Sequence, residues 1–151
     1  MKEPPPDEER RGKPRVETVP YTSPFTFMGR VRSFRHATMG LSFVLRTQHN
    51  AWLHAIATVL AIVLGIAVGL ARLEWCMLAL AVVTVWVAET FNTGLEVLAD
   101  AIVSERHPIV KIAKDVAAAA VLLSALGAVV VGIVLFAPHF IALFARWSAT
   151  R

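Results

Sequence analysis

One cysteine, one tyrosine and few charges mark this chain of 151 residues by what it does without. Cys76 alone closes no intrachain bridge, which excludes a disulfide scaffold. Charged residues make up 17% of the chain, where a soluble domain carries about 25%. Hydrophobic residues make up 56%, and the mean hydropathy is +0.61. This balance excludes disorder over most of the chain and points from a soluble globule to a membrane protein. The length leaves room for one ordinary domain and not for two.

The cations are unevenly spread. Nine of the fifteen Lys and Arg residues precede position 50, from Lys2 to Arg46. Such an arm is one way to bind nucleic acid. In front of hydrophobic segments its expected use is different: a cytoplasmic flank that sets topology and meets anionic lipid, with no nucleic acid involved.

Residues 1–24 are rich in proline and charge and offer almost nothing to bury, so they read as a disordered tail. No apolar core of a secretory signal lies within the first 30 residues. From Phe27 the pattern changes. Phe27, Val31, Phe34, Thr38, Leu41 and Leu45 recur at steps of four and three, with Arg32, Arg35, His36 and Arg46 on other sides. That spacing predicts an amphipathic helix over 25–47, lying in the membrane interface.

Three apolar runs follow. Ala51 to Ala71 holds 21 residues and one titratable group, His54. Trp75 to Phe91 has Glu89 as its one charge, and its helical pattern continues to about Val103. Val116 to Ala137 is 22 residues without a charge. About 20 apolar residues at 1.5 Å each cross a hydrocarbon core of roughly 30 Å, so each run is long enough to span. The expected fold is therefore all-α: an interfacial helix and three transmembrane helices over about 51–71, 75–103 and 110–137.

Arg72-Leu73-Glu74 reads as the tight turn between the first two spans. The connection from Ser104 to Asp115 carries Arg106, Lys111 and Lys114. With the basic amino-terminal arm, it predicts that both lie in the cytoplasm of a multi-pass protein. After Pro138 the stretch His139 to Trp147 reads as a helix end or an interfacial anchor, so residues 138–151 are set apart as a carboxyl-terminal interfacial tail. Stripes of small residues, Ala57, Ala61, Gly65 and Gly69 in the first span and Ala120, Ser124, Ala128 and Gly132 in the third, favour close helix packing within or between chains.

The second span carries the chemistry. Glu89, Asn92, Glu96 and Asp100 are spaced three, four and four apart. At about 100° per residue they share one face roughly 80° wide. Glu89 falls inside the hydrocarbon, where a carboxylate costs roughly 2.5–3.5 kcal/mol and so calls for a reason. A bland reading is a protonated Glu bonded between helices. Three further polar groups on the same face favour a functional one, with Glu89 as proton acceptor. Two carboxylates and an amide also supply the hard oxygens that Mg²⁺ prefers. Lys111, Lys114 and Asp115 sit on one face at the mouth of the third span, where cations suit phosphates but also suit topology.

The run Glu89-x-x-Asn92-x-x-x-Glu96-x-x-x-Asp100, followed by Ala113-Lys114-Asp115-x-Ala117-Ala118-Ala119-Ala120-Val121-Leu122, resembles the small prokaryotic diacylglycerol kinase family, which also includes undecaprenol kinases. The likeness covers roughly residues 27–137. It implies a homotrimer in the bacterial inner membrane, Mg²⁺-ATP as phosphoryl donor and a lipid hydroxyl, of diacylglycerol or undecaprenol, as acceptor. It implies Glu89 as catalytic base, with Asn92 and Asp100 on the polar face of the site. It implies Glu96 and Gln48 at the metal-ligand positions, where Gln48 stands in place of the Glu of better-known members. It implies nucleotide contacts from Glu105, Arg106, His107, Lys114 and Asp115, with His36 of the surface helix nearby. Asn50 followed by His54 looks closer to the undecaprenol-kinase branch.

No phosphate-binding loop of the G-x-x-x-x-G-K-[ST] kind and no protein-kinase signature is present. Two other readings compete: a small proton or ion conductor, and a non-catalytic membrane scaffold. A conductor needs polar groups through the full depth of the bilayer. Here they gather at the cytoplasmic end of the spans, which favours chemistry at the interface.

Overall fold

The computed structural model describes residues 26–103 and 107–149. They form four helices: α1 (Phe27–Thr47), α2 (His49–Val68), α3 (Arg72–Ile102) and α4 (Pro108–Ala149). No strand occurs among the described residues. α2, α3 and α4 are each long and apolar enough to cross a membrane. The protein is an all-α integral membrane protein with three spanning helices.

The chain divides into two compact units, one ending at Phe34 and the other beginning at Arg35. In the first, Thr26 starts the helix: its hydroxyl accepts the Gly29 N–H at 3.2 Å and its carbonyl accepts the Arg30 N–H. Phe27 and Phe34 are exposed. In the second, the rest of α1 buries Val44, and the backbone then turns extended at Gln48 before α2 begins.

The turn between the first two spans is Gly69-Leu70-Ala71, and Arg72 to Glu74 belong to the first turn of α3. This corrects the sequence expectation by three residues. Gly69 adopts φ 72°, ψ 50°, the left-handed conformation that ends helices, and its N–H donates back to the Gly65 carbonyl at 3.1 Å. It is therefore a helix stop and not a member of a packing stripe. Gly65 is small for a different reason. A β-carbon there would sit 2.9 Å from a Leu70 methyl and 2.9 Å from the Trp75 ring. Leu70 thereby folds under the turn into the apolar cluster of Leu78, Leu135 and Phe136.

α3 opens with Glu74, whose carboxylate accepts the Ala71 N–H at 2.7 Å and suits the positive end of the helix. α3 packs more extensively against α4 than α2 does against either. The antiparallel pair α3/α4 is tied at both ends: Lys114 Nζ to Asp100 at 2.9 Å, and His139 Nε2 to Glu74 at 3.7 Å. Along α3 these ties are about 39 Å apart, wide enough to bracket a hydrocarbon core of roughly 30 Å.

α4 does not end at 137. It runs through Pro138 to Ala149. Proline removes the N–H that would reach the Val134 carbonyl, yet spanning helices tolerate this where neighbours and side chains support the backbone. The Nδ1 of His139 lies 2.9 Å from the Leu135 carbonyl, one turn back. Large side chains on the outside, such as Leu123 (69% exposed) and Ile133 (62%), are mostly uncovered by the described residues and suit lipid or another subunit.

Replacing Gly65 by Ala is expected to cost about 1–2 kcal/mol, because the methyl group overpacks the contact with Trp75. Gly132→Ala, where a β-carbon meets nothing within 4 Å, is the control and should be neutral or slightly stabilising. Thermal unfolding of both variants in detergent checks this. Equal midpoints would mean that Trp75 does not close on Gly65.

Candidate functional site

The site is built where the start of α2 meets the carboxyl-terminal half of α3. Gln48 occupies the N-cap position of α2 but makes no capping bond with its side chain. The amide reaches across instead, and Nε2 donates to Glu96 Oε2 at 3.2 Å. Asn92, one turn before Glu96 on α3, donates to the other carboxylate oxygen at 3.1 Å. Glu96 is thus held by two amides. Asn92 Oδ1 is buried without a hydrogen-bond partner.

Deeper along α3 lies Glu89, 1% exposed and the largest fully buried side chain among the described residues. The Thr93 hydroxyl, also buried, donates to the Glu89 backbone carbonyl at 2.9 Å. Opposite, on α2, His54 Nε2 stands 3.8 Å from Glu89 Oε2. Neither atom has a hydrogen-bond partner among the described residues. An unsatisfied buried carboxylate is expensive and rare, and in a native structure such a group calls for a function.

At the open end of the face, Asp100 is exposed and paired with the half-buried Lys114. Lys111 and Asp115, one turn apart on α4, pair at 2.6 Å in full exposure. Exposed pairs of this kind stabilise by at most about 1 kcal/mol. They leave two carboxylates and two ammonium groups clustered at the mouth of the α3/α4 pair.

Of the residues singled out by sequence, the structure brings Gln48, Asn92 and Glu96 together, sets Glu89 deeper on the same face, and joins Asp100 to Lys114. Asp115 faces Lys111 rather than this group. His36 is exposed on α1, with no hydrogen bond or ion pair among the described residues. His107 caps α4: its Nδ1 accepts the Ile109 N–H at 3.3 Å, with Pro108 in the first helical position. Glu105 and Arg106 lie outside the described residues. The residue that spacing alone did not assign to the site is His54. Its signal was present, since it is the one titratable group in the first apolar run, but only the packing of α2 on α3 shows which residue it faces.

A family model described as prokaryotic diacylglycerol kinase matches residues 35–136, which include every described site residue. An undecaprenol kinase of Bacillus subtilis is 35% identical over 107 residues, covering 71% of this chain and 87% of that protein. A diacylglycerol kinase of Synechocystis sp. is 39% identical over 112 residues, covering 74% of this chain and 64% of that protein.

The exposed Asp100–Lys114 pair separates structure from chemistry. Asp100→Asn should change stability by less than about 1 kcal/mol, as thermal unfolding reads it. A larger loss would mean that the pair holds α3 to α4.

Proposed function

The chain belongs to the prokaryotic diacylglycerol kinase family and is a membrane lipid kinase, and from that premise we propose that it transfers the γ-phosphate of ATP to the hydroxyl of diacylglycerol or undecaprenol at the cytoplasmic face of the bacterial inner membrane. The observation that carries this reading is the buried carboxylate of Glu89, whose Oε2 has no hydrogen-bond partner among the described residues, on one helix face with Asn92 and Glu96. A base shielded from water, with an oxygen not already engaged in a hydrogen bond, can take a hydroxyl proton, and Glu89 Oε2 meets both conditions.

Magnesium fits the residues at the mouth of that face. Glu96 supplies a carboxylate, and Asn92 Oδ1 is a buried oxygen with no other partner. Glu96 and Gln48 would hold the ion, with the rest of its shell from water and phosphate oxygens. When bound, it neutralises charge on the transferring phosphoryl group. Lys114, Asp100 and Asp115, with His107, Glu105, Arg106 and His36, are assigned to the nucleotide side, where Lys114 offers a cation to phosphate oxygens. The amino terminus and the loop after α3 are assigned to the cytoplasm by their cations. The apolar outer faces of the three spans suit contact with further subunits, and the family resemblance implies that this assembly is a homotrimer.

The deciding experiment is transfer from labelled ATP by purified protein, offered diacylglycerol and undecaprenol in parallel. Glu89→Gln should lower the rate by about 10²-fold or more while fold and oligomer persist. A rate within a few-fold of the unaltered protein would remove Glu89 from the reaction.

Gln48 sets the metal requirement. In Gln48→Glu a second carboxylate faces Glu96, so this variant should be less stable without Mg²⁺, regain stability on adding it, and need less of it for half-maximal rate. Gln48→Leu should need more. Thermal midpoints and initial rates across a Mg²⁺ titration read both effects. Three superimposable curves would mean that position 48 touches no metal.

A further inference from the structure

His54 Nε2 and Glu89 Oε2 are 3.8 Å apart, beyond the 2.7–3.2 Å of an N–H···O hydrogen bond. Both side chains are largely buried, at 16% and 2% exposure, and both atoms lack any other partner. Apart from Asn92 Oδ1, an acceptor, the polar groups of Thr58, Thr93 and Glu96 near them are already engaged. The Thr58 hydroxyl donates to the His54 carbonyl at 2.7 Å and accepts the Trp86 indole N–H at 3.2 Å. The Thr93 hydroxyl is bound to the Glu89 carbonyl. Glu96 is held by Gln48 and Asn92. Two facing polar atoms at this distance are short of one third atom that hydrogen-bonds to both.

His54, with Thr58, also lines a cavity of about 340 Å³ among α2, α3 and α4, whose walls are otherwise apolar and include Ala57, Ala61, Val82, Val85 and Phe136. Glu89 does not line this cavity, so a ligand with its apolar body there would reach past His54 to meet Glu89.

Resting on the lipid-kinase reading, we propose that His54 and Glu89 form a clamp for the acceptor's hydroxyl. His54, neutral with its proton on Nε2, donates to the hydroxyl oxygen, while the hydroxyl donates its proton to Glu89 Oε2. The second lone pair on that oxygen stays free for attack on phosphorus. In the transfer step the oxygen bonds to the γ-phosphorus and its proton passes to Glu89. The bond from phosphorus to the β,γ-bridging oxygen breaks, and its electron pair leaves with the nucleoside diphosphate. His54 keeps its proton throughout. The clamp selects lipids bearing a free alcohol, since an ester or a hydrocarbon offers nothing to Glu89.

Acceptor titrations at saturating ATP compare the unaltered protein with His54→Gln and His54→Leu. Gln presents an N–H at similar reach, so kcat/KM for the lipid should stay within about five-fold. Leu removes the donor and should lower it about 30-fold, with KM for ATP unchanged. A Leu variant with unaltered acceptor constants overturns the clamp, and so does a well-folded Gln variant that loses as much as Leu.

A second measurement keeps the test independent of folding. In ¹⁵N-histidine protein without nucleotide, the His54 ring resonance, assigned by its loss in His54→Gln, should move on adding undecaprenol or diacylglycerol. Squalene and triacylglycerol, which lack the hydroxyl, should leave it in place. No movement with the alcohols, or the same movement with the hydroxyl-free lipids, overturns the proposal. If the unaltered protein phosphorylates no lipid alcohol, the kinase reading itself falls, and the clamp with it.

Discussion

Two helices leaving one turn at the same rise per residue stay in step, so the turn decides which residues meet. Gln48 and Glu96, joined by a hydrogen bond, stand 24 positions before and after Arg72. Thr58 and Trp86, also joined, stand 14 positions before and after it. His54 and Glu89 fall between these contacts, 18 positions before and 17 after Arg72, within one residue of the same register. The left-handed Gly69 and the close approach of Leu70 and Trp75 to Gly65 set that register. Every cross-helix contact of the site between α2 and α3 depends on it. One residue inserted in the turn would rotate α2 by about 100° and carry His54 and Gln48 off the face of Glu89 and Glu96.

The polar side chains fall into two energetic classes. Asp100–Lys114 and Lys111–Asp115 are solvated, and their loss costs the fold little. Glu89, Asn92 and His54 are withdrawn from water and each keeps an unpaired atom. In hydrocarbon, backbone groups are satisfied within helices, so unsatisfied side-chain atoms stand out. Their clustering at one depth, next to Glu96 and its two amides, supports the proposed reaction site over a conducting path, which would need such groups from one surface to the other.

Much of this was legible in the residues alone. Glu89, Asn92, Glu96 and Asp100 share a face because helical geometry is nearly invariant, and Glu89 announced itself by its cost in lipid. The turn was harder. Arg72 and Glu74 look like loop residues by charge, yet Glu74 serves the first turn of α3 by accepting the Ala71 N–H. Gly69 and Gly65 fit one small-residue stripe by spacing but do different work, since φ at one and a ring contact at the other are not encoded in periodicity. The stretch after Pro138 reads as a helix end or an interfacial anchor, and α4 continues through it to Ala149.

By itself, then, the sequence determined the membrane setting, the three spans, the amphipathic first helix and the polar face of α3. Each follows from local composition and a fixed helical period. The tertiary structure decided which side chains oppose that face: Gln48 on Glu96, His54 on Glu89, Lys114 on Asp100. These pairings join residues 14 to 48 positions apart, and a shift of one residue at a turn would change the α2 partners while leaving every local pattern intact.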